Sequence, residues 1–234
     1  MKKLLLRILG FIVAYVVIGA LLDRVVFPEA EPGEAYYPRQ GQSFVSKSEG
    51  FHQTVLKREN GLVWGELVLE PFAAGPPEHI HTTFPEKFIV AEGTLSLLVN
   101  GEKKLLRPGE SLLIPPGTAH KPFNETDSPV VVKGPFTAEY AIPEQFSIFL
   151  TQAYGFFDES ESNSQPPKAL LQMSRFSPKY DSWLARPPVF LQKALFFVIG
   201  PTARLLGYRT HYEKYMPDKA AKPLTAAPIQ SQSY

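Results

Sequence analysis

Short apolar runs separated by turn residues fill the middle of this 234-residue chain. Each run is long enough for a β-strand and too short for a stable helix. Asn-Gly pairs at 60–61 and 100–101 lie between neighbouring runs, and Asn-Gly in that position is a strong hairpin signal. Many short strands with regular turns are typical of an all-β sandwich or barrel. The predicted strands are Gln53–Lys57, Leu62–Leu69, Lys87–Ala91, Leu95–Val99, Lys104–Leu106, Ser111–Ile114 and Val130–Lys133.

The pattern changes after about residue 140, where the sequence predicts helices. Their expected ranges are Glu144–Tyr154, Pro167–Arg175 and Val189–Leu206. The last is apolar, but Lys193, Pro201 and Arg204 interrupt it, so it is a poor membrane span. It is better suited to an amphipathic helix that lies either on a membrane surface or against the β-domain. The sequence leaves both alternatives open.

One apolar segment near the N-terminus has the length of a membrane span. Lys2, Lys3 and Arg7 precede an uncharged run from Ile8 to Leu22, and roughly 20 apolar residues cross a bilayer. The run ends without the small-residue pattern of a cleavage site, which favours an uncleaved anchor over a secretory signal. Because a basic flank stays cytoplasmic, we expect the rest of the chain on the extracytoplasmic side. Secretion after cleavage is the alternative.

Charge and cysteine content exclude several classes of protein. The net charge is +1 and there is no long basic run, so nucleic acid is not an expected partner. The chain contains no cysteine, which excludes disulfides, thiolate metal sites and cysteine nucleophiles.

Four residues with metal-binding side chains fall between positions 79 and 120. His79 and His81 are two residues apart, so on a strand both imidazoles lie on the same face. Glu86 follows a tight stretch that returns the chain toward them, and His120 begins a later strand. Two or three imidazoles and a carboxylate suit Fe, Mn, Zn or Ni as divalent ions. The sequence therefore predicts one divalent metal site.

The same stretch resembles the cupin superfamily, and in particular a small bacterial monocupin. The family's second motif, G-x5-P-x-G-x2-H-x3-N, is matched at Gly109, Pro115, Gly117, His120 and Asn124. The first, G-x5-H-x-H-x(3,4)-E-x6-G, is matched at His79, His81, Glu86 and Gly93. It departs at the opening glycine, where Ala73 stands and Gly75 supplies the glycine. The resemblance covers residues 50–142, and it implies that the same four residues bind the metal.

The resemblance implies an all-β fold, a double-stranded β-helix (jelly-roll) cupin barrel. With the flanking segments, it predicts a barrel between an N-terminal transmembrane helix and a C-terminal helical appendage. The expected organisation is a membrane anchor or signal at 1–26, a linker at 27–50, the cupin barrel at 51–142, helices at 143–215 and a disordered tail at 216–234.

Cupins include dioxygenases, isomerases, decarboxylases and non-catalytic binders, so three hypotheses about function stay open. The first is a metal-dependent, dioxygenase-like enzyme that acts on a small organic molecule. The second is a non-catalytic, metal-dependent ligand-binding or sensing module tethered to the membrane, and the third is a metal that mainly stabilises the fold. Phe84, Phe88 and Phe123 are candidate pocket residues, although core packing is the commoner role of such side chains. A homodimer is a further alternative, and no residue is assigned a catalytic role.

Overall fold

The structure is a computed structural model that describes residues 2–219. Its strands are β1 (Ser43–Ser46), β2 (Phe51–Glu59), β3 (Leu62–Leu69), β4 (His79–Ile80), β5 (Glu86–Glu92), β6 (Leu95–Val99), β7 (Glu102–Leu106), β8 (Ser111–Ile114), β9 (His120–Phe123), β10 (Val130–Lys133), β11 (Ile142–Pro143) and β12 (Trp183–Leu184). Its α-helices are α1 (Lys2–Leu21), α2 (Glu144–Glu159), α3 (Lys168–Tyr180) and α4 (Val189–Leu205). Most of the predicted disordered tail lies outside the described residues.

The strands form two antiparallel sheets that share one core. The first sheet has the order β1-β2-β3-β10-β5-β8, with the short β11 also paired to β3, and the second has the order β12-β4-β9-β6-β7. Phe51 and Val90 of the first sheet pack in the same buried cluster as Leu95 and Leu97 of the second. Because successive side chains of a strand alternate between faces, each sheet presents one apolar face to this core. The antiparallel, β-rich fold expected from the sequence is confirmed.

The two sheets do not close into a barrel within residues 2–219. The first sheet keeps β1 and β8 as edges, and the second keeps β12 and β7. Strands β4 and β12 contain two residues each, and β9 contains four. Such short strands cannot carry hydrogen-bonded pairing continuously around the core. The architecture is therefore two facing sheets rather than the closed barrel that the sequence suggested.

Helices α2 and α3 build a second core beside the sheets. Ile148 and Phe156 of α2 pack with Phe176 and Tyr180 of α3 and with Tyr215 near the end of the described chain. Elsewhere on α2, Leu150 and Tyr154 pack against the core of the sheets. Helix α2 thus joins the helical region to the β-domain by direct apolar packing.

Helix α1 is exposed along its length and meets the other helices at its C-terminal end. With the following turn to Val26 it is long and apolar enough to cross a membrane, a property that signal sequences share. The Asp23 carboxylate accepts hydrogen bonds from Arg175 of α3 at 3.0 Å and from Arg204 of α4 at 3.1 Å. Gly19 lies directly against Pro201, so α1 and α4 are in contact.

The displaced glycine of the first cupin motif has a steric reason. Gly75 has a left-handed backbone with φ of 66°, and a Cβ there would lie 2.0 Å from the carbonyl oxygen of Pro122 on β9. Only glycine fits so close an approach. Ala73 at the usual glycine position is instead buried against Gly50, which has its own left-handed backbone. The turn before the histidines therefore needs its glycine at 75.

Candidate metal centre

The four predicted ligand residues come from adjoining strand ends. His79 lies in β4 directly opposite His120 in β9, and His81 follows β4 by one residue. Glu86 is the first residue of β5, which pairs with β8 in the other sheet. The turn between β4 and β5 brings the carboxylate from one sheet to the imidazoles of the other. The four side chains thus meet where the two sheets face each other.

One potential ligand atom from each of these residues lies within 4.8 Å of the others. The His120 Nε2 atom is 2.9 Å from Glu86 Oε2, and the His81 Nε2 atom is 3.6 Å from the same oxygen. The ring centroids of His79 and His120 are 4.4 Å apart. His81 and His120 are almost completely buried, while His79 and Glu86 are partly exposed. A single ion can therefore reach all four.

Backbone carbonyls fix the protonation of all three imidazoles. The Nδ1 atoms lie at hydrogen-bonding distance from carbonyl oxygens: His79 to Pro77 at 3.0 Å, His81 to Asp181 at 2.8 Å and His120 to Thr118 at 3.0 Å. Since a carbonyl only accepts, each Nδ1 carries a hydrogen, and Nε2 is the atom left for a metal ion once it has no proton. The His120 Nε2 atom donates to Glu86 at 2.9 Å, so it carries a proton that a bound ion would replace. The Nε2 atom of His81 is buried and has no hydrogen-bond partner. An orphaned acceptor of this kind fits a metal ligand.

The charges at the centre also suit a cation. Burial favours the neutral form of Glu86, but the hydrogen bond from His120 and the nearby His81 imidazole outweigh it and hold the pKa of this carboxyl well below its ordinary range. Burial and the neighbouring His120 and His81 lower the pKa of His79 to about 3. Burial lowers the pKa of His120, but the hydrogen bond to Glu86 outweighs burial and raises it overall. Glu86 therefore stays anionic and His79 stays neutral at physiological pH, as metal ligands must be.

Residues 65–136 match the family model of the cupin domain, Cupin_2. These residues form a cupin domain. All four clustered ligand residues lie within it.

Several solved structures share similarity with this part of the chain. A cupin-2 domain containing protein from Shewanella frigidimarina NCIMB 400 is 28% identical over 36% of this chain and 78% of its own, with a TM-score of 0.30. KdgF from Halomonas sp. is 26% identical over 36% and 76%, with a TM-score of 0.32. A sugar phosphate isomerase of the cupin superfamily from Silicibacter pomeroyi DSS-3 is 22% identical over 45% and 76%, with a TM-score of 0.34. No curated protein matches the chain.

Asp181, far outside the cupin domain, holds the loop between the ligands. Its carboxylate accepts hydrogen bonds from the backbone N–H and hydroxyl groups of Thr82 and Thr83, at 2.6–2.7 Å, and from Trp183 Nε1 at 2.8 Å. Its carbonyl oxygen is the partner of His81 Nδ1. Burial favours the neutral form, but these hydrogen bonds outweigh it and lower the pKa of Asp181. One residue at the end of α3 therefore orients His81 and the turn that follows it.

A cavity of about 580 Å³ adjoins the cluster. His79 and Glu86 both contribute to its lining, and most of its other residues are apolar. The cavity extends away from the ligands between the sheets and the helices α2 and α3. Its size lies within the usual range of small-molecule sites.

The three candidate pocket phenylalanines occupy different positions. Phe88 of β5 lines the cavity. Phe84 is buried and stacks on the His81 ring, with centroids 4.4 Å apart, so it supports a ligand residue. Phe123 is partly buried beneath Lys121. His52 lies apart from the cluster and pairs with Glu70.

The sequence interpretation did not find Asp181 or the helical lining of the cavity. Both come from the region after residue 140, where the only available signal was helical spacing. Nothing local in that spacing indicates which helix face meets the metal centre.

Proposed function

We propose that the cupin domain holds one divalent metal through His79, His81, Glu86 and His120 and acts as a metal-dependent oxygenase on a small organic molecule. The supporting observation is that the cluster lies at the wall of a cavity large enough for such a molecule. A bound metal of this type supplies Lewis acidity or, if it is iron, activation of dioxygen.

The residues of the chain have separate tasks in this proposal. The carbonyl partners of the three histidines keep the Nε2 lone pairs directed at one point. Glu86 supplies the negative charge that offsets part of the metal's charge. The apolar lining excludes water from the volume next to the ligands. The organic molecule binds in that volume.

A non-catalytic binding or sensing module uses the same site and is the second candidate. It is supported by the same cavity, since binding alone assigns no catalytic role to the acids and bases of its lining, which are Glu49, Glu66, Lys87, Tyr140 and Tyr154 beyond the ligands. A purely structural metal is less well supported, because His79 and Glu86 face the cavity instead of being enclosed by core side chains.

A sugar phosphate, the substrate class in the name of one similar structure, is poorly suited to this cavity. Lys87 is the single lysine or arginine that lines it among the described residues, and its Nζ atom is bound to Glu139 at 2.6 Å. Three glutamates share the lining. Away from the metal, a phosphate dianion would therefore meet no unpaired cationic side chain in the described part of the lining.

The test of this proposal begins with elemental analysis of the purified full-length protein, where we expect one divalent ion per chain. Oxygen uptake by the iron-loaded protein is then measured with a panel of small organic molecules. His120→Ala is the control and is expected to abolish any uptake. Saturable binding of a molecule without any metal-dependent uptake would instead support the binding module.

We further propose that α1 anchors the cupin domain on the extracytoplasmic side of a membrane and that α4 lies along the membrane surface. Four large apolar side chains on α4 or directly after it are exposed: Phe190, Leu191, Leu205 and Leu206. Helix α4 is also joined to the end of α1 through Asp23. The basic N-terminal flank supports the orientation. Labelling of lysines on the cupin domain from the outer side of intact cells tests it, and labelling from the cytoplasmic side alone would contradict it.

A further inference from the structure

The wall of the cavity opposite the sheets comes from one face of α2. The residues that face the cavity recur at helical spacing, i, i+3, i+4, i+7 and i+11, and form an apolar stripe: Phe146, Phe149, Leu150, Ala153 and Phe157. Leu170 and Met173 of α3 extend this wall. An apolar helix face at a cavity costs free energy unless apolar matter covers it. The helical wall therefore favours an apolar occupant.

The charged groups around the cavity do not favour an ionic occupant. Lys87 is paired with Glu139 at 2.6 Å, and Glu66 is paired with Lys133 at 3.0 Å. A carboxylate or phosphate on the ligand would therefore lack a free cation, except at the metal itself.

Glu49, Gln53 and Tyr154 form one polar part of the cavity lining. The Gln53 amide donates to the Tyr154 hydroxyl oxygen at 2.8 Å, and the hydroxyl also hydrogen-bonds with the Glu49 carboxyl. Burial and the nearby Asp158 raise the pKa of Glu49 to about 8, against the effect of Tyr154. At neutral pH this carboxyl is therefore protonated, so the group offers uncharged donors and acceptors.

From these observations we propose that the ligand is a mostly apolar, uncharged organic molecule whose body lies along the wall formed by α2 and α3, with one neutral oxygen-bearing group at Glu49, Gln53 and Tyr154. This assignment rests on the proposed function, since it names the class of molecule that the metal site serves. It places specificity largely in the helices outside the cupin domain.

The experiment uses 1-naphthol and 1-naphthyl phosphate, which share one apolar body and differ in charge. Full-length protein in lipid nanodiscs is titrated with each, and quenching of Trp183, which lines the cavity, reports binding. We expect saturable quenching by 1-naphthol and at least about tenfold weaker binding of the phosphate, because its charge must be buried without a partner. Trp183→Phe should remove the signal.

Two exposed leucines give a matched pair of variants. Leu170→Glu puts a carboxylate on the cavity wall at a position that is 42% exposed, and we expect at least about tenfold weaker 1-naphthol binding. Leu105→Glu makes the same change on β7, at 50% exposure and away from the cavity, and should bind like the unaltered protein. Equal affinity for the two ligands, or no effect of Leu170→Glu, would overturn the proposed ligand class.

The polar end is tested by comparing 1-naphthol with naphthalene. Tyr154→Phe should reduce the preference for 1-naphthol about fivefold, the value of one hydrogen bond. The preference should persist after metal removal with EDTA, because the hydroxyl group binds at Tyr154 and not at the metal. If the preference for 1-naphthol disappears with the metal and is unchanged by Tyr154→Phe, the proposed position of the polar group is overturned. Metal content is measured in every sample, so loss of the metal itself counts against the proposed function and not against the ligand class.

Discussion

Replacing Glu49 by glutamine should stabilise the protein, and only at neutral and alkaline pH. Glu49 lines the cavity and is partly buried, and burial together with the Asp158 carboxylate raises its pKa to about 8 from an ordinary value of 4.5. Asp158 is held nearby because it accepts hydrogen bonds from the backbone N–H groups of Lys47 and Ser48 at 2.6 and 2.9 Å. The folded state therefore resists ionisation of Glu49, while the unfolded state does not.

The sign and size of the effect follow from the two pKa values. Below pH 4.5 Glu49 is protonated in both states, and no penalty exists. Between pH 4.5 and about 8 the unfolded chain releases the proton first, so the stability of the native protein falls as pH rises, and above about 8 it levels off. A pKa difference of one unit between the folded and unfolded states corresponds to about 1.4 kcal/mol. The upper limit on the stability lost through Glu49 is therefore about 5 kcal/mol. Partial exposure reduces this, and we expect about 2 kcal/mol.

Urea unfolding of the native protein and Glu49→Gln at pH 5 and pH 8.5 checks this prediction. The glutamine variant should match the native protein within about 0.5 kcal/mol at pH 5 and exceed it by about 2 kcal/mol at pH 8.5. Glu102→Gln, at a carboxyl that is 79% exposed, is the control and should show no such divergence. An equal gain at both pH values, or a less stable variant at pH 8.5, would refute a buried and protonated Glu49.

Three further predictions concern the metal centre and the N-terminal helix. His81→Ala should lose most of the bound metal, because its Nε2 atom has no other partner; full occupancy by elemental analysis would contradict the site. Asp181→Asn should weaken metal affinity about 10- to 100-fold, since the amide cannot accept all five hydrogen bonds that orient the turn after His81. Competition with a chelator measures the affinity, and an unchanged affinity would rule out this positioning role. Deletion of residues 2–20 should allow alkaline carbonate to extract the protein from membranes with its metal retained. Deletion of residues 2–26 should in addition lower the melting temperature, because Arg175 loses its ion pair with Asp23. Equal melting temperatures of the two deletion variants would refute the structural role of that ion pair.

The β-rich part of the fold was predictable because its strands are long enough to show their own pattern. Leu62–Leu69, Leu95–Val99, Ser111–Ile114 and Val130–Lys133 form strands with the predicted bounds. Strands β4, β11 and β12 contain two residues each, too few to show any alternation. They form because each pairs with a neighbouring strand. Local sequence could not reveal them.

The residues of the metal centre also divide into those that the local sequence predicts and those that it does not. The spacing of His79, His81 and Glu86, together with the motif around His120, predicted which residues lie together in the structure. Asp181 is separated from His81 by 100 residues, and its left-handed backbone at the end of α3 carries no distinctive sequence signal. The contact depends on how the helices pack against the sheets. The position of Asp181 beside His81 therefore becomes known only from the tertiary structure.

Helix α3 connects three features that the sequence presents as separate. Near its middle, Met173 forms part of the cavity wall and Arg175 holds Asp23 at the end of the apolar N-terminal helix. At its C-terminal end, Asp181 holds the loop and the imidazole of His81. These contacts lie on one helix of 13 residues and at its C-terminal end, with Pro178 between Arg175 and Asp181. The helical region thus contributes both to the cavity wall and to the orientation of a ligand residue.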